Sequence, residues 1–275
     1  MKYMLLIHQG STPLPGSDEW ESLSDDEKNA VYGACQSINQ TPGVSPGVRM
    51  GPPEIATTVR VQDGKTLTRR CLQVLAEIRN PVIIVTKSHL VVRDIDILSE
   101  LARDKCAIVN LSITTLDVDL QRIMEPRTSA PAARLDAVAQ LRAAGIPVGV
   151  MVAPVIPGIN DHEIPAIVAE CAKAGAQFAG HVLLRLPWAV RPLVEHWLDE
   201  HFPERKAKVL ERLRHTRGGE KLYDSRWLKR QIGEGVFAEQ IANMFEVSCR
   251  RAGLGERPKL STAAFRRLQQ QMDLL

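Results

Sequence analysis

Apolar runs alternate with amphipathic segments along most of the chain. Continuous apolar runs are typical of parallel strands that are buried on both faces. They predict four strands, at Pro81–Thr86, Cys106–Ile113, Pro147–Ala153 and Ala179–Arg185. Amphipathic periodicity predicts a helix at Thr68–Arg79, and further helices between the strands are predicted at Asp94–Arg103, Pro131–Ala144 and Glu163–Ala174. Because strand and helix alternate, the pattern predicts parallel strands joined by right-handed crossovers, in an open α/β sheet or part of a (β/α) barrel.

The two ends of the chain have different patterns. The first part predicts a strand at Lys2–His8, a helix from a Ser24 cap to Gln40, and a strand at Thr57–Val61. The last part has no strand pattern, and we expect helices at about 190–200, 203–216, 234–252 and 261–273. The chain therefore has an α/β centre and a C-terminal helical extension.

Composition excludes several classes of protein. The 275 residues are 44% hydrophobic, which is enough for a full core. No apolar run is long enough for a membrane span, and the short N-terminal run is interpreted as a strand, so we predict no membrane contact and a cytoplasmic location. The five cysteines (Cys35, Cys71, Cys106, Cys171 and Cys249) lack zinc or cluster spacing, so we predict buried free thiols and no metal ligands.

Positive charge is concentrated at the C-terminus. Residues 201–275 contain 16 Lys and Arg against 9 Asp and Glu, although the whole chain has a net charge of only +3. This excess is compatible with nucleic-acid contact, and equally with a solvated helical surface. The candidate basic residues are Arg205, Lys206, Lys208, Arg212, Arg214 and Arg217.

Polar residues follow the apolar strands at the ends where parallel α/β folds bind ligands. The predicted binding residues at these strand ends are Thr86, Lys87, Ser112, Thr114, Pro157, Gly158, Asn160 and Arg185. Cations, hydroxyls and a Pro–Gly turn suit a ligand with a carboxylate, a ribose and a flat base. The alternative interpretation is that the hydroxyls and Asn160–Asp161 are helix caps and that Lys87 is a surface lysine.

No catalytic residue can be assigned from motifs. The seven histidines form no HExxH pattern, and the nucleophile-elbow and P-loop patterns are absent. His162 follows Asp161 near a predicted strand end, where either a general base or a surface residue fits.

Several long motifs resemble one family. VTKSHLVVRDIDIL, SITTLD, MEPRTSAPAARLDA, VGVMVAPVIPGINDHEIP, HVLLRLP and LYDSR occur in the order of the radical-SAM proteins similar to spore photoproduct lyase, also called DNA-repair-photolyase-like. The resemblance runs from about Leu67 to the C-terminus and implies a partial (β/α) barrel. It implies that Lys87 contacts the carboxylate of S-adenosylmethionine, that Ser112 contacts the ribose, and that Pro157, Gly158 and Asn160 lie near the adenine.

The same resemblance exposes a missing part. The family holds a [4Fe–4S] cluster with a CxxxCxxC loop, and this chain has no such motif. Gly218–Gly219–Glu220 lies too late to be the family's second-strand motif and is interpreted as a turn. The family therefore implies a radical-SAM enzyme, but the missing ligands predict an inactive or cofactor-impaired chain. The alternative is a non-catalytic module that binds nucleic acid or protein through the basic C-terminal region.

Residues 1–66 resemble something else. MKYMLLIHQG and PPEIATTVRVQDGKTL are similar to the first half of a DGPF (YCII-related) domain, a dimeric ferredoxin-like fold. The resemblances imply a mosaic of a half domain at 1–66, a truncated barrel at 67–187 and an extension at 188–275. They also imply oligomer contacts through the N-terminal segment, whose two strands would take the places of the barrel's missing strands.

Overall fold

A computed structural model describes residues 18–30, 67–187, 190–219, 222–223 and 229–266. The chain divides into two compact units, Met1–Asp63 and Gly64–Leu275. The first unit contains helix α1 (Asp18–Glu21) and the helical residues 25–30, called α2. The backbone N–H of Ser24 donates to Glu27 Oε2 (2.9 Å) and that of Glu27 donates to Ser24 Oγ (3.3 Å), which is a capping box. The predicted Ser24 cap is confirmed.

The remaining N-terminal predictions lie outside the described residues. These are the strands at Lys2–His8 and Thr57–Val61, and the later part of the helix that was predicted to reach Gln40. The half domain at 1–66 and its replacement of two barrel strands therefore stay predictions.

The second unit contains one parallel sheet. Its strands are β1 (Val82–Thr86), β2 (Ala107–Ser112), β3 (Val148–Val155) and β4 (Phe178–Leu183), and they neighbour one another in chain order. All three pairs are parallel. Each predicted strand is found within two residues of its bounds, and the α/β class is confirmed. Sequential order in a parallel sheet is the arrangement of a (β/α) barrel segment.

Helices follow the strands in the predicted alternation. Those of the α/β part are α3 (Leu67–Glu77), α4 (Ile95–Arg103), α5 (Val118–Met124), α6 (Pro131–Ala143) and α7 (Ile164–Lys173), with 3₁₀ turns at His89–Asp94 and Asp161–Glu163. The C-terminal helices are α8 (Val190–His201), α9 (Lys206–His215), α10 (Lys229–Ile232) and α11 (Val236–Arg251). Helix α5 is absent from the sequence predictions.

One face of the sheet and its helices make the main core. The register places Val109, Val148 and their same-face neighbours together, against leucines such as Leu98 and Leu141 from α4 and α6. Phe245 of α11 packs in the same core. Every residue of β2 is buried, so both of its faces are covered, which explains why that strand is apolar along nearly its whole length.

Strand β1 corrects one expectation. Its apolar run predicts burial on both faces, but Ile83 is 43% exposed and Val85 is 62% exposed. The reason is its position, because β2 is the only strand that pairs with β1 within the described parts of the chain. Position at a sheet edge is a tertiary property that the run of apolar residues does not encode.

A second core lies at the carboxyl ends of the strands. Its buried members come from α5, the β3–α7 loop and the C-terminal helices, and they are Leu120, Ile156, Ile159, Leu186, Leu198, Val209, Leu210, Leu213 and Leu222. The C-terminal extension therefore packs directly over the β3–α7 loop.

A segment after α11 crosses the opposite end of the sheet. The N–H groups of Gly255, Ser261 and Arg266 donate to the carbonyls of Gln177 (2.9 Å), Lys105 (3.0 Å) and Ile78 (2.9 Å). Residues 253–266 are called the strap. The predicted helix 261–273 is wrong over residues 261–266, which are not helical. The reason is that backbone N–H groups of this segment donate to carbonyls at the ends of other elements, so they are not available for hydrogen bonds within a helix.

Candidate functional site

The carboxyl ends of β1 and β2 meet at an ion-pair cluster. Lys87 directly follows β1, and its Nζ forms a short ion pair with Oε1 of Glu125. The Lys87 side chain is 32% exposed, whereas the Glu125 side chain is 7% exposed. The ammonium group therefore lies at the boundary between the protein interior and solvent.

Glu125 receives two further donors. Thr114 Oγ1 donates to its Oε1 (2.8 Å), and Arg134 Nη2 donates to its Oε2 (2.8 Å). Burial works to raise the pKa of Glu125, but the hydrogen bond and charge of Lys87, together with Thr114 and Arg134, outweigh burial and hold that pKa below its ordinary value. Glu125 is therefore a buried carboxylate.

Arg134 is almost fully buried, with its side chain 1% exposed. Its Nη1 donates to the Ser112 carbonyl (2.8 Å), its Nε donates to the Ser129 carbonyl (2.6 Å), and it makes a short hydrogen bond to the Thr128 hydroxyl. Arg134 thus ties the end of β2 to the loop that follows α5. Two cations share one carboxylate in this cluster, which leaves a surplus positive charge at the exposed member, Lys87.

Asn160 connects the ends of β2 and β3. Its Nδ2 donates to the carbonyls of Thr114 (2.8 Å) and Pro154 (3.0 Å), and its Oδ1 accepts from the N–H of Ile156 (2.7 Å). Asn160 is at the N-cap position of the Asp161–Glu163 turn, but its side chain makes no cap hydrogen bond there. Cross-strand carbonyls fall within reach of its amide only after the sheet has formed.

The Pro157–Gly158 turn lies beneath α9. Pro157 is buried, and Gly158 has a φ of +90° that favours glycine. A Cβ at Gly158 would lie 3.4 Å from Arg212 Nη1 and 3.5 Å from Val209 Cγ2. Arg212 also forms an ion pair of 3.8 Å with Asp161.

The other predicted binding residues are less closely joined to the cluster. Thr86 Oγ1 accepts from the N–H of Ser88 (3.1 Å), as a local cap does. Ser112 is buried, with its carbonyl bonded to Arg134. Arg185 follows β4, and its buried Nε has no hydrogen-bond partner among the described residues. The structure therefore joins Lys87, Ser112, Thr114 and Asn160 in one network and leaves Arg185 apart.

Glu125 and Arg134 are the site residues that motif reading did not single out. One signal could have revealed Arg134. It shares a helical face with Val138 and Leu141, at intervals of four and three residues, and both of these are fully buried. A charged residue on the apolar face of an amphipathic helix predicts a buried partner of opposite charge.

Four of the six candidate basic residues of the C-terminal region have partners within the chain. Their partners are Glu204 for Arg205 (3.4 Å), Asp199 for Lys206 (2.6 Å), Asp161 for Arg212 (3.8 Å) and the Leu184 carbonyl for Arg217 (2.9 Å). Lys208 is exposed and Arg214 is half-buried. The expected contact with nucleic acid stays a prediction.

The burial of the cysteines bears on whether they could hold an iron–sulfur cluster. Cys106 and Cys171 are buried as predicted, Cys249 is half-buried, and the prediction of burial is wrong for Cys71, which is exposed. Burial raises the pKa of Cys171 to about 12 and also raises the pKa values of Cys106 and Cys249, whereas cluster ligands are thiolates. Across the described ranges, no three His, Cys, Asp or Glu residues are grouped as metal ligands. The described thiols do not fit a three-cysteine cluster site.

Two further sequence expectations concern His162 and membrane-spanning helices. His162 is exposed at the start of the 3₁₀ turn before α7. None of the helices in the described ranges has the length and apolar character that a membrane crossing requires.

Comparisons with known proteins cover the centre of the chain. The family model for the Radical SAM superfamily matches residues 55–171. Uncharacterized proteins of Mycobacterium tuberculosis and Mycobacterium bovis are 34% identical over 132 residues, which cover 47% of this chain and 39% of theirs. A protein of Acidianus two-tailed virus is 43% identical over 75 residues, covering 27% of this chain and 24% of its own. The chain spans less than half the length of these relatives.

Two solved structures of spore photoproduct lyase mutants are similar to the chain at 18% sequence identity. One, which contains AdoMet and a dinucleoside spore photoproduct, has a TM-score of 0.41 and covers 68% of this chain and 52% of its own. The other has a TM-score of 0.42 and covers 82% and 62%. The resemblance to a DGPF domain stays a prediction. Residues 55–171 match the Radical SAM superfamily, which confirms the radical-SAM resemblance that the motifs predicted.

Proposed function

We propose that this chain binds S-adenosylmethionine at the carboxyl ends of β1 and β2, with the ligand's carboxylate on Lys87. The observation that supports this most is the surplus positive charge of the Lys87–Glu125–Arg134 cluster. Arg134 is enclosed, so the charge that remains available belongs to the partly exposed Lys87. A carboxylate ligand neutralises that charge, and the strand ends of a parallel sheet are the usual ligand position.

The remaining parts of the ligand are assigned to neighbouring residues. In the proposal, Ser112 contacts the ribose, and Thr86, Thr114 and Asn160 border the same site. Contact between adenine and the Pro157–Gly158 turn requires movement of Val209 and Arg212, because α9 covers that turn. Arg185, which follows β4, is proposed as a second cation for this ligand.

We further propose that the chain by itself does not cleave S-adenosylmethionine reductively. The proposal rests on the spacing of the five cysteines, of which the closest two are 35 residues apart, and on the burial of Cys106 and Cys171. After anaerobic reconstitution with iron and sulfide, we expect no stoichiometric iron and acid-labile sulfide on the chain. One cluster per chain would contradict this.

Calorimetry tests the binding proposal directly. Native protein is expected to bind S-adenosylmethionine, and Lys87→Met is expected to weaken binding by about tenfold or more, as loss of a charge-assisted hydrogen bond predicts. The matched control is Lys173→Met, because Lys173 is an exposed lysine on α7 that pairs with Glu170. Absence of binding by the native chain, or equal binding by Lys87→Met, would overturn the proposal.

A further inference from the structure

The flexible side chain of Lys87 needs a contact with another residue to fix the position of its ammonium group. A lysine side chain has four rotatable bonds and carries a strongly hydrated ammonium group. Binding a ligand through a mobile ammonium costs conformational entropy, so an ammonium that other residues already hold in place binds better. In this structure the group that contacts Nζ is the Glu125 carboxylate, 38 residues away along the chain. The position of Lys87 therefore depends on what fixes Glu125.

Glu125 is held through both its side chain and its backbone. Thr114 and Arg134 donate to its carboxylate, and Thr114 Oγ1 also lies 3.0 Å from the Ala153 carbonyl at the end of β3, a second acceptor for the same hydroxyl hydrogen. The N–H of Glu125 donates to the Gln121 carbonyl (2.7 Å), while Gln121 Nε2 donates back to the Glu125 carbonyl (2.9 Å). The carboxylate is thus anchored to α5, β2 and α6.

The loop after Glu125 is anchored to the same strand end as Lys87. The N–H of Ser129 donates to the Lys87 carbonyl (3.2 Å), and Ser129 Oγ accepts from the N–H of His89 (2.8 Å). Residues 87–89 and 125–129 therefore form one hydrogen-bonded unit. A shift of Glu125 would be transmitted to the Lys87 ammonium.

We propose that Glu125 is a positioning residue, which holds the Lys87 ammonium at the strand ends for the carboxylate of the ligand. The inference rests on the proposed function. Because the charge of Arg134 already balances that of Glu125, the contact with Glu125 orients Lys87 and leaves the positive charge of Lys87 available to a carboxylate of the ligand. Glu125 therefore sets the preference of the site for a ligand that carries a carboxylate over an otherwise equal ligand that lacks one.

The test compares two ligands that differ only by the carboxylate. Calorimetry of the full chain measures S-adenosylmethionine and decarboxylated S-adenosylmethionine with native protein, Glu125→Asp and Lys87→Met. Glu125→Asp keeps a buried negative charge for Arg134 but withdraws it from Lys87 by one methylene. Glu125→Asp is expected to weaken the binding of S-adenosylmethionine about tenfold, while the affinity for the decarboxylated ligand changes less than about twofold. The double variant with Lys87→Met is expected to be no weaker than Lys87→Met alone.

A second glutamate at the strand ends serves as the control. Glu163 accepts from Thr115 Oγ1 (2.6 Å) and from the N–H of Leu116 (2.8 Å), and no contact joins it to Lys87 within the described chain. Glu163→Asp is expected to leave the preference between the two ligands unchanged. The nitrogen-15 NMR signal of the Lys87 ammonium, assigned by its loss in Lys87→Met, reports the order of this group without any ligand. We expect the ammonium hydrogens to be protected from exchange with water in native protein and to lose that protection when Glu125 is replaced.

Each contrary outcome has a distinct meaning. Equal weakening of both ligands by Glu125→Asp would show a merely structural role, and an unchanged preference would remove the positioning role. Tighter binding of S-adenosylmethionine would show that Glu125 competes for Lys87, which also overturns the inference. If native protein binds neither ligand, the proposed function itself fails. The ammonium signal then tests only whether Glu125 orders Lys87.

Discussion

At the scale of single residues, buried polar groups distinguish this molecule most clearly. Arg134, Asn160 and Glu125 are all nearly inaccessible, and each is satisfied by several hydrogen bonds that cross between elements. A buried charge that loses its partner typically costs about 3–5 kcal/mol, so such residues hold a local structure in one arrangement. Sequence motifs identified Lys87 and Asn160 as polar residues after strands. They did not identify their partners, which are distant along the chain.

His181 is a half-buried residue whose ring nitrogen Nε2 is buried without being satisfied among the described residues. Its ring lies against Phe245 of α11, with centroids 4.5 Å apart, and its buried Nε2 has no hydrogen-bond partner in the parts of the chain that are described. Burial lowers the pKa of His181 from its ordinary value of 6.5. The folded chain therefore resists protonation of this ring where the unfolded chain accepts it.

The pH dependence of stability follows from that difference. Below about pH 6.5 the unfolded state binds more protons at His181, so we expect the free energy of unfolding to fall as the pH falls, with a limiting slope of about 1.4 kcal/mol per pH unit. Urea unfolding of native protein and His181→Leu at pH 7.5, 6.5 and 5.5 measures it, and the variant should lose less stability. His162→Leu, at an exposed position, is the control. Parallel slopes for native protein and His181→Leu would refute the prediction.

At the scale of elements, the four strands were predictable because each is a continuous apolar run that helices cover on one face. Helix α5 was missed because it has only seven residues, although its signal was present: Asp117 accepts from the N–H groups of Asp119 (2.8 Å) and Leu120 (3.1 Å). The exposed faces of Ile83 and Val85 were not predictable, since an apolar run looks the same at the edge of a sheet as at its centre.

The pairing of β3 and β4 depends on one close approach. Gly149 faces Phe178 in the register, and a Cβ at Gly149 would overlap the ring of Phe178. We expect Gly149→Ala to destabilise the fold by about 1–3 kcal/mol, as overpacking of a core does. Unfolding in urea measures this loss. Adding Phe178→Leu should recover part of it.

Gly255 offers a matched control for that change. A Cβ at this position would lie 3.8 Å from its nearest neighbour, the Gln177 carbonyl. Gly255→Ala should therefore leave stability within about 0.5 kcal/mol of native. Equal effects at the two glycines would show that contact with Phe178 is not the cause.

At the scale of the whole molecule, C-terminal segments contact both ends of the sheet in the second unit. The helices α8 and α9 pack over the β3–α7 loop at the carboxyl ends, and the strap bonds to elements at the opposite ends. The strap also contributes the Ser261 carbonyl, which accepts from the buried Cys106 thiol (3.4 Å). A segment with little regular structure thus protects one end of the main core.

Truncation tests the role of the strap. We expect a chain that ends at residue 253 to be less stable and to expose Cys106 to thiol reagents, because backbone partners at Lys105, Gln177 and Ile78 are lost. Labelling followed by mass spectrometry of each cysteine measures it. Cys171 packs between α7 and the sheet and should stay protected. Continued protection of Cys106 after truncation would show that the strap does not cover it.

The sequence by itself determined the local features of this protein: the parallel α/β class, the strands, the capping box at Ser24, the radical-SAM resemblance and the absence of cluster spacing among the cysteines. The class, the strands and the capping box depend on periodicity and on neighbours within a few residues, whereas the resemblance depends on motifs in the family's order. The tertiary structure decided what depends on distant partners. It joined Lys87 to Glu125 and Arg134, and it used Asn160 as a bond between strands. Among the described residues it left β1 paired with β2 alone, and it drew residues 261–266 into backbone bonds instead of a helix. Ion pairs and cross-strand hydrogen bonds form only between groups that folding brings together, so spacing along the chain does not reveal them.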